Sequence, residues 1–167
     1  WAERPSVTLQ APSTHLGRRR YPGKLHVRLA GTGLELVNEL DIEQYLEGVL
    51  PGELPAGFGI EAQKALAVAA RSYALVQQGK HGEFDLCDQT CCQMYLGDHR
   101  GSTRGLAAVR ATRRECLFSG DDLVYAFYSA DCGGKSTSIT EVPLRDKPEV
   151  PLPYLRPVKD APPSGPD

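Results

Sequence analysis

Residues 65–70 read Ala65-Leu66-Ala67-Val68-Ala69-Ala70, an apolar run in the middle of a stretch from Ile60 to Gln78. A helix that is apolar on every face is buried on every face. The run therefore predicts the central helix of a domain, with Gly79 placed to end it. The rest of the chain is read by what surrounds that helix.

On its N-terminal side the period changes twice. Leu25-His26-Val27-Arg28-Leu29 alternates apolar and polar, as a half-buried strand does, and Leu34-Glu35-Leu36-Val37-Asn38 follows Gly31-Thr32-Gly33. Two strands around a glycine-rich turn predict a β-hairpin. From Asp41 the period is helical: Ile42, Tyr45, Leu46 and Val49 fall at i, i+3, i+4 and i+7. Asp41 is the expected N-cap, with Gln44 in capping-box position. Pro51 is expected to stop this helix, because the residue before a proline avoids the α region. Pro51 to Gly57 then reads as a rigid, turn-rich link between two helices. The first twenty residues are polar and end in Arg18-Arg19-Arg20, an arm or edge strand with a solvated basic run.

On the C-terminal side, His81 to Gly97 reads as irregular, and Ser102 to Thr112 as a third helix with Leu106, Ala107 and Val109 facing inward. Cys116-Leu117-Phe118 and Leu123 to Tyr128 predict a second hairpin around Ser119-Gly120-Asp121-Asp122. Asp131-Cys132-Gly133-Gly134 closes it in a glycine turn, and eight of the 13 prolines lie after Val142, in an extended C-terminal stretch. Strands, helices, then strands predict an α+β domain, with hairpins packed around the buried central helix and a Pro-rich C-terminal extension.

Composition bounds the function. The 167 residues carry 19 Lys+Arg and 21 Asp+Glu, a net charge of −2, with 41% hydrophobic residues. This is a globular balance, which excludes collagen, coiled coil and wholesale disorder. No apolar stretch approaches the roughly 20 residues of a membrane span. A near-neutral charge argues against a general nucleic-acid binder. The chain opens on Trp1, so no targeting signal is legible.

Five cysteines are too few for a disulfide scaffold, and an odd number cannot all pair within one chain. Three fall within six residues, Cys87, Cys91 and Cys92, close to His81. Thiolates and an imidazole suit tetrahedral zinc, and four ligands close a structural site. The alternative is a disulfide, Cys87 with Cys92. Cys132 reads either as a nucleophile served by a histidine or as a thiol in a strand-end turn. Glu53, between Pro51-Gly52 and Leu54-Pro55, is held in place yet reachable. Packed against the apolar helix, a carboxyl there would stay protonated, as a general acid requires; otherwise it is a solvated loop residue. Glu43 and Glu47 read as outer-face residues of the first helix. Arg71, straight after the apolar run, is either a structural salt bridge or an arginine lining a polar pocket.

Six segments in order resemble the sporulation stage II protein D family (SpoIID/LytB, the amidase-enhancer domain). After Tyr21-Pro22-Gly23-Lys24-Leu25, the strongest is Tyr45-Leu46-Glu47-Gly48-Val49-Leu50-Pro51-Gly52-Glu53-Leu54-Pro55, with Leu54 where Met is usual. Ala62 to Ala74 resembles the family's AQAVAARTYA helix, and Asp85-Leu86-Cys87-Asp88 to Cys92-Gln93-Met94-Tyr95 its cysteine stretch. Tyr128-Ser129-Ala130-Asp131-Cys132-Gly133-Gly134 and Pro153-Tyr154-Leu155 complete the series. The resemblance covers residues 21–158, leaving 1–20 as an N-terminal arm and 159–167 as a disordered tail.

The resemblance implies a peptidoglycan lytic transglycosylase with Glu53 as its catalytic glutamate. Arg71, Tyr73, Ser129 and Cys132 are then expected to line the groove. It also implies a structural zinc on His81, Cys87, Cys91 and Cys92, with Cys91 where a His is usual. The implied partners are glycan strands freed of stem peptides and cell-wall amidases, and the implied location is outside the cytoplasm, in the bacterial envelope. Two rivals stand beside this: a muramidase that cuts the same bond with water, and a non-catalytic wall-binding or amidase-enhancing module.

Overall fold

The computed structural model describes residues 6–11, 13–55, 57–98, 103–129, 134–141 and 152–159. The architecture is α+β. Strands β1 (Ser6–Gln10), β2 (Thr14–Leu16), β3 (Arg19–Tyr21), β4 (Lys24–Ala30) and β5 (Gly33–Glu39) precede α1 (Ile42–Glu53), α2 (Ile60–Val76) and α3 (Thr103–Ala111). The short strands β6 (Phe118–Ser119) and β7 (Asp122–Leu123) follow. The chain divides into two compact units, Trp1–Ala126 and Phe127–Asp167, and the boundary falls inside the stretch 21–158. All named elements belong to the first. In the second, an isolated bridge joins Lys135 to Lys159, and the Ser136 N–H donates to Val158 O at 2.9 Å.

The hairpin predicted from alternation is β4–β5, turning at Gly31 with φ +60, a conformation glycine adopts without a side-chain clash. β1 pairs antiparallel with the free side of β4, so residues 6–10 are the edge strand of a three-stranded sheet ordered β1-β4-β5. The register puts Ser6, Thr8, Lys24, His26, Arg28, Glu35 and Glu39 on one face, and Val7, Leu9, Leu25, Val27, Leu29, Leu34 and Leu36 on the other.

Asp41 caps α1 as expected, its side chain accepting from the Glu43 N–H at 2.9 Å. Leu46, Val49 and Leu50 are fully buried on this helix, and each contributes roughly 1.5–3 kcal/mol of apolar burial. The expected stop at Pro51 is corrected: α1 runs through Pro51 to Glu53. Pro51 removes one N–H, the donor to Glu47 O, and crowds that carbonyl, yet the helix closes behind it with Leu54 N–H on Leu50 O at 3.0 Å. Leu96 N–H also donates to Gly48 O at 3.1 Å, which supports this last turn from outside.

α2 packs against both α1 and α3. Burial on every face holds only for its C-terminal half, where Ala70 to Ala74 are all buried; Ala65 is exposed and Leu66 half-buried. α3 presents Gly105, Ala108 and Val109 inward and leaves Ala107 exposed, one residue away from the expected face. The second hairpin is shorter than predicted, with two residue pairs turning at Gly120 (φ +64).

Candidate active site

The C-terminal turn of α1 carries Glu53, and the segment 93–98 lies along it. Gly48 and Gly52, one turn apart, make the contact possible. A Cβ at Gly48 would overlap the Tyr95 ring and the Gly97 carbonyl, and one at Gly52 would lie 2.6 Å from Met94 O. Gly48→Ala is therefore expected to cost about 1–3 kcal/mol by overpacking. A denaturation midpoint measured against wild type checks it.

Close approach brings the Met94 N–H to the Glu53 carboxylate, 2.5 Å from Oε1. Glu53 is half-buried, and among the described residues its Oε2 has no hydrogen-bond partner. The segment is anchored on both sides. Gln93 accepts from Tyr45 Oη at 3.0 Å and donates to Ala70 O at 3.1 Å. Tyr95 stacks on Tyr45 with centroids 5.3 Å apart and donates to Asn38 Oδ1 at 2.9 Å. Burial, followed by Tyr21 and Asp98, pushes the Tyr95 phenol up, so it stays a donor at neutral pH. Arg20 closes the end of the segment with an ion pair to Asp98, and Asp98 N–H donates to Arg20 O at 2.6 Å.

Of the two readings of Arg71, the structure shows the salt bridge. Arg71 is 1% exposed, and its guanidinium is bidentate to Glu43, with Nη2–Oε2 at 2.7 Å and Nε–Oε1 at 3.1 Å. Nη1 donates to Glu115 O at 3.0 Å. Glu43, expected on the outer face of α1, is turned inward and also accepts from the Arg114 N–H at 3.1 Å. Burying the charge requires that partner. Tyr73 is also buried in α2. Ser129 is exposed and belongs to the second unit, and Cys132 lies outside the described residues. Arg71 and Tyr73 are thus core residues of α2.

The four metal candidates do come together. Donor atoms of His81, Cys87, Cys91 and Cys92 all lie within 4.8 Å of one another, with His81 Nε2 3.2 Å from Cys92 Sγ. This group can hold a metal ion. The His81 ring stacks on Phe84 at 4.7 Å, and Lys80 Nζ donates to Cys91 O at 2.9 Å. The sulfurs of Cys87 and Cys91 are in disulfide contact, rather than those of Cys87 and Cys92. Their Cα atoms are 7.1 Å apart, beyond the usual range of about 4.4–6.8 Å for a bridged pair. Cys92 and Cys116 are free, half-buried thiols.

A cavity of about 620 Å³ lies between the polar face of the sheet, α1, α2 and the loop 82–86. His26, Arg28, Glu39, Tyr45 and Phe84 line it, and Glu53 does not. Lys24 first, then His26, holds the Glu39 carboxyl below its ordinary range. The loop in this wall is bracketed by His81 and Cys87, two of the His/Cys donors.

Sequence reading missed Gln93, the Met94 N–H and the two glycines of α1. The four-residue spacing of Gly48 and Gly52 was the available signal, since it places both on one face of a helix. A backbone N–H leaves no signal at all.

A family model described as SpoIID, stage II sporulation protein, matches residues 30–118, more than half of the chain. An uncharacterized protein of Brachyspira hyodysenteriae is 38% identical over 110 residues, 64% of this chain and 30% of its own. The amidase enhancer of Bacillus subtilis is 35% identical over 97 residues, 58% of this chain and 13% of its own. The chain thus spans less than a third of the length of either relative.

Proposed function

Because the chain belongs to the SpoIID family of stage II sporulation proteins, we propose that it cleaves cell-wall glycan as a lytic transglycosylase. The bond is the β-1,4 link from N-acetylmuramic acid to N-acetylglucosamine in peptidoglycan strands freed of stem peptides. The observation that carries this reading is the Glu53 carboxyl: one oxygen is held by the Met94 N–H while the other has no partner among the described residues. A single carboxyl group is enough for the reaction. As the acid it protonates the bridging oxygen, and the glycosidic bond breaks. The C6 hydroxyl of the same muramic acid attacks C1, and the Glu53 carboxylate takes that hydroxyl's proton. The products are a 1,6-anhydro end and a free N-acetylglucosamine end. No water is consumed, whereas ordinary glycosidases use two carboxyl groups and one water.

Zinc suits the His/Cys group. Bonds of about 2.3 Å to sulfur and about 2.0–2.1 Å to nitrogen would draw in donors that lie up to 4.8 Å apart and would part the Cys87 and Cys91 sulfurs, which are in contact here. With four protein ligands such an ion is structural and fastens the loop 82–86. The reading also places the protein outside the cytoplasm, in the bacterial envelope, with cell-wall amidases as candidate partners.

A mass spectrum of the products from purified, peptide-free glycan tests the reaction. Anhydro ends, lighter by one water than hydrolysis products, are expected. Ends carrying that water would make the protein a muramidase. Binding without any release would favour the module reading, which draws support from the relative named an amidase enhancer. Elemental analysis of the same protein, purified without added metal, is expected to find one zinc per chain. A metal-free, disulfide-linked chain would overturn the zinc assignment.

A further inference from the structure

Gln93 is fully buried, and each end of its amide is committed to a different helix. Oε1 accepts from Tyr45 Oη on α1 at 3.0 Å, and Nε2 donates to Ala70 O on α2 at 3.1 Å. Burying a primary amide is costly unless both ends are bonded. An apolar side chain of similar volume would fill the space without that requirement. What the amide adds is direction, because it fixes one residue of a loop against two helices at once.

Its neighbours show where that direction matters. Cys92, just before it, is one of the His/Cys donors. Met94, just after it, gives its N–H to Glu53 Oε1 at 2.5 Å. Tyr95 stacks on Tyr45, whose hydroxyl holds Gln93, and the Leu96 N–H bonds Gly48 O. The only side chain in this run that bonds both α1 and α2 is thus adjacent to the backbone group that holds the proposed acid.

We propose that Gln93 is a positioning residue for Glu53. By orienting the Cys92–Tyr95 backbone it keeps the Met94 N–H on Oε1, and so sets the direction of the free oxygen. It touches no substrate. The inference rests on Glu53 being the acid of the proposed reaction.

The test compares Gln93→Leu and Gln93→Glu with wild type in the full chain. Three quantities are read: Met94 amide hydrogen exchange by NMR, kcat and KM on peptide-free glycan, and zinc content. In Gln93→Leu the Met94 amide is expected to exchange at least about 10-fold faster. Its kcat should fall by about 10-fold or more with KM within about 2-fold, the mark of a misplaced acid with substrate binding intact. Gln93→Glu, held neutral by full burial, keeps an acceptor for Tyr45 and an O–H donor for Ala70 O, and is expected to recover part of both losses. Zinc content should equal that of wild type.

A Met94 amide that stays protected, or a kcat that stays at the wild-type value, overturns the proposal. Loss of zinc from the variant overturns it too, because the effect would then run through the His/Cys group. If Gln93→Leu does not fold, Tyr45→Phe removes only the hydroxyl on Oε1, keeps the ring stack, and carries the same expectations at smaller size. If wild type releases nothing from glycan, the reading of Glu53 as the acid has failed. Met94 exchange still decides, separately, whether Gln93 sets the segment.

Discussion

Glu53→Gln is expected to lower glycan cleavage by about 10²–10⁴-fold, the usual contribution of a positioned general acid. The substitution is nearly isosteric. The amide oxygen can still accept from the Met94 N–H, so the contact that holds the side chain survives. What is lost is the acidic proton and the basic carboxylate it leaves: a carboxamide cannot protonate the bridging oxygen or accept the proton of the C6 hydroxyl. Glu53 is half-buried and makes that one hydrogen bond, so the stability change should stay within about 1 kcal/mol, the typical value for one hydrogen bond. Product release measured by mass spectrometry, beside a thermal melt of each protein, separates chemistry from folding. Equal release by wild type and the variant would remove Glu53 from the acid role.

What could be read from the sequence was what depends on near neighbours. The alternation of Leu25, Val27 and Leu29 predicts β4, and Gly31 marks its turn. Asp41 marks the start of α1. The four His/Cys donors lie within twelve residues, so their convergence is local and their chemistry announces itself. The misreadings share one cause, which is contact with distant chain. Pro51 ends a helix by local rules, but Leu96 N–H on Gly48 O supports the turn from 48 residues away in sequence. α3 turns Gly105, Ala108 and Val109 inward and leaves Leu106 half-buried, because the face it buries is set by α1 and α2. Glu53 itself stood out from its prolines and glycines, whereas the Met94 N–H that holds it is 41 residues distant. Arg71 left a salt bridge and a pocket both open, because an arginine in an apolar helix needs a partner that local sequence does not name. The partner is Glu43, 28 residues earlier, on a face that periodicity alone assigns to solvent.

That pair gives the second large effect. Arg71→Leu is expected to destabilise the fold by about 3–5 kcal/mol, the cost of breaking a buried ion pair from one side. The change strands the Glu43 carboxylate, which is 15% exposed and keeps only the Arg114 N–H. It also leaves Glu115 O, at 3.0 Å from Nη1, without that donor. In a chain of this length about 1 kcal/mol moves the melting temperature by roughly 2–4 °C, so a fall of order 10 °C is expected. Arg71→Lys should recover little, since an ammonium cannot make both bonds to Glu43 and also reach Glu115. The double variant Arg71→Leu with Glu43→Leu should be much less harmful than the sum of its single changes, because no charge is left buried without a partner. Thermal melts of the four proteins give the coupling directly. A single variant that melts within about 2 °C of wild type, a shift of at most about 1 kcal/mol, would show that the pair does not hold α1 to α2. An intact fold that lost cleavage alone would instead return Arg71 to the groove.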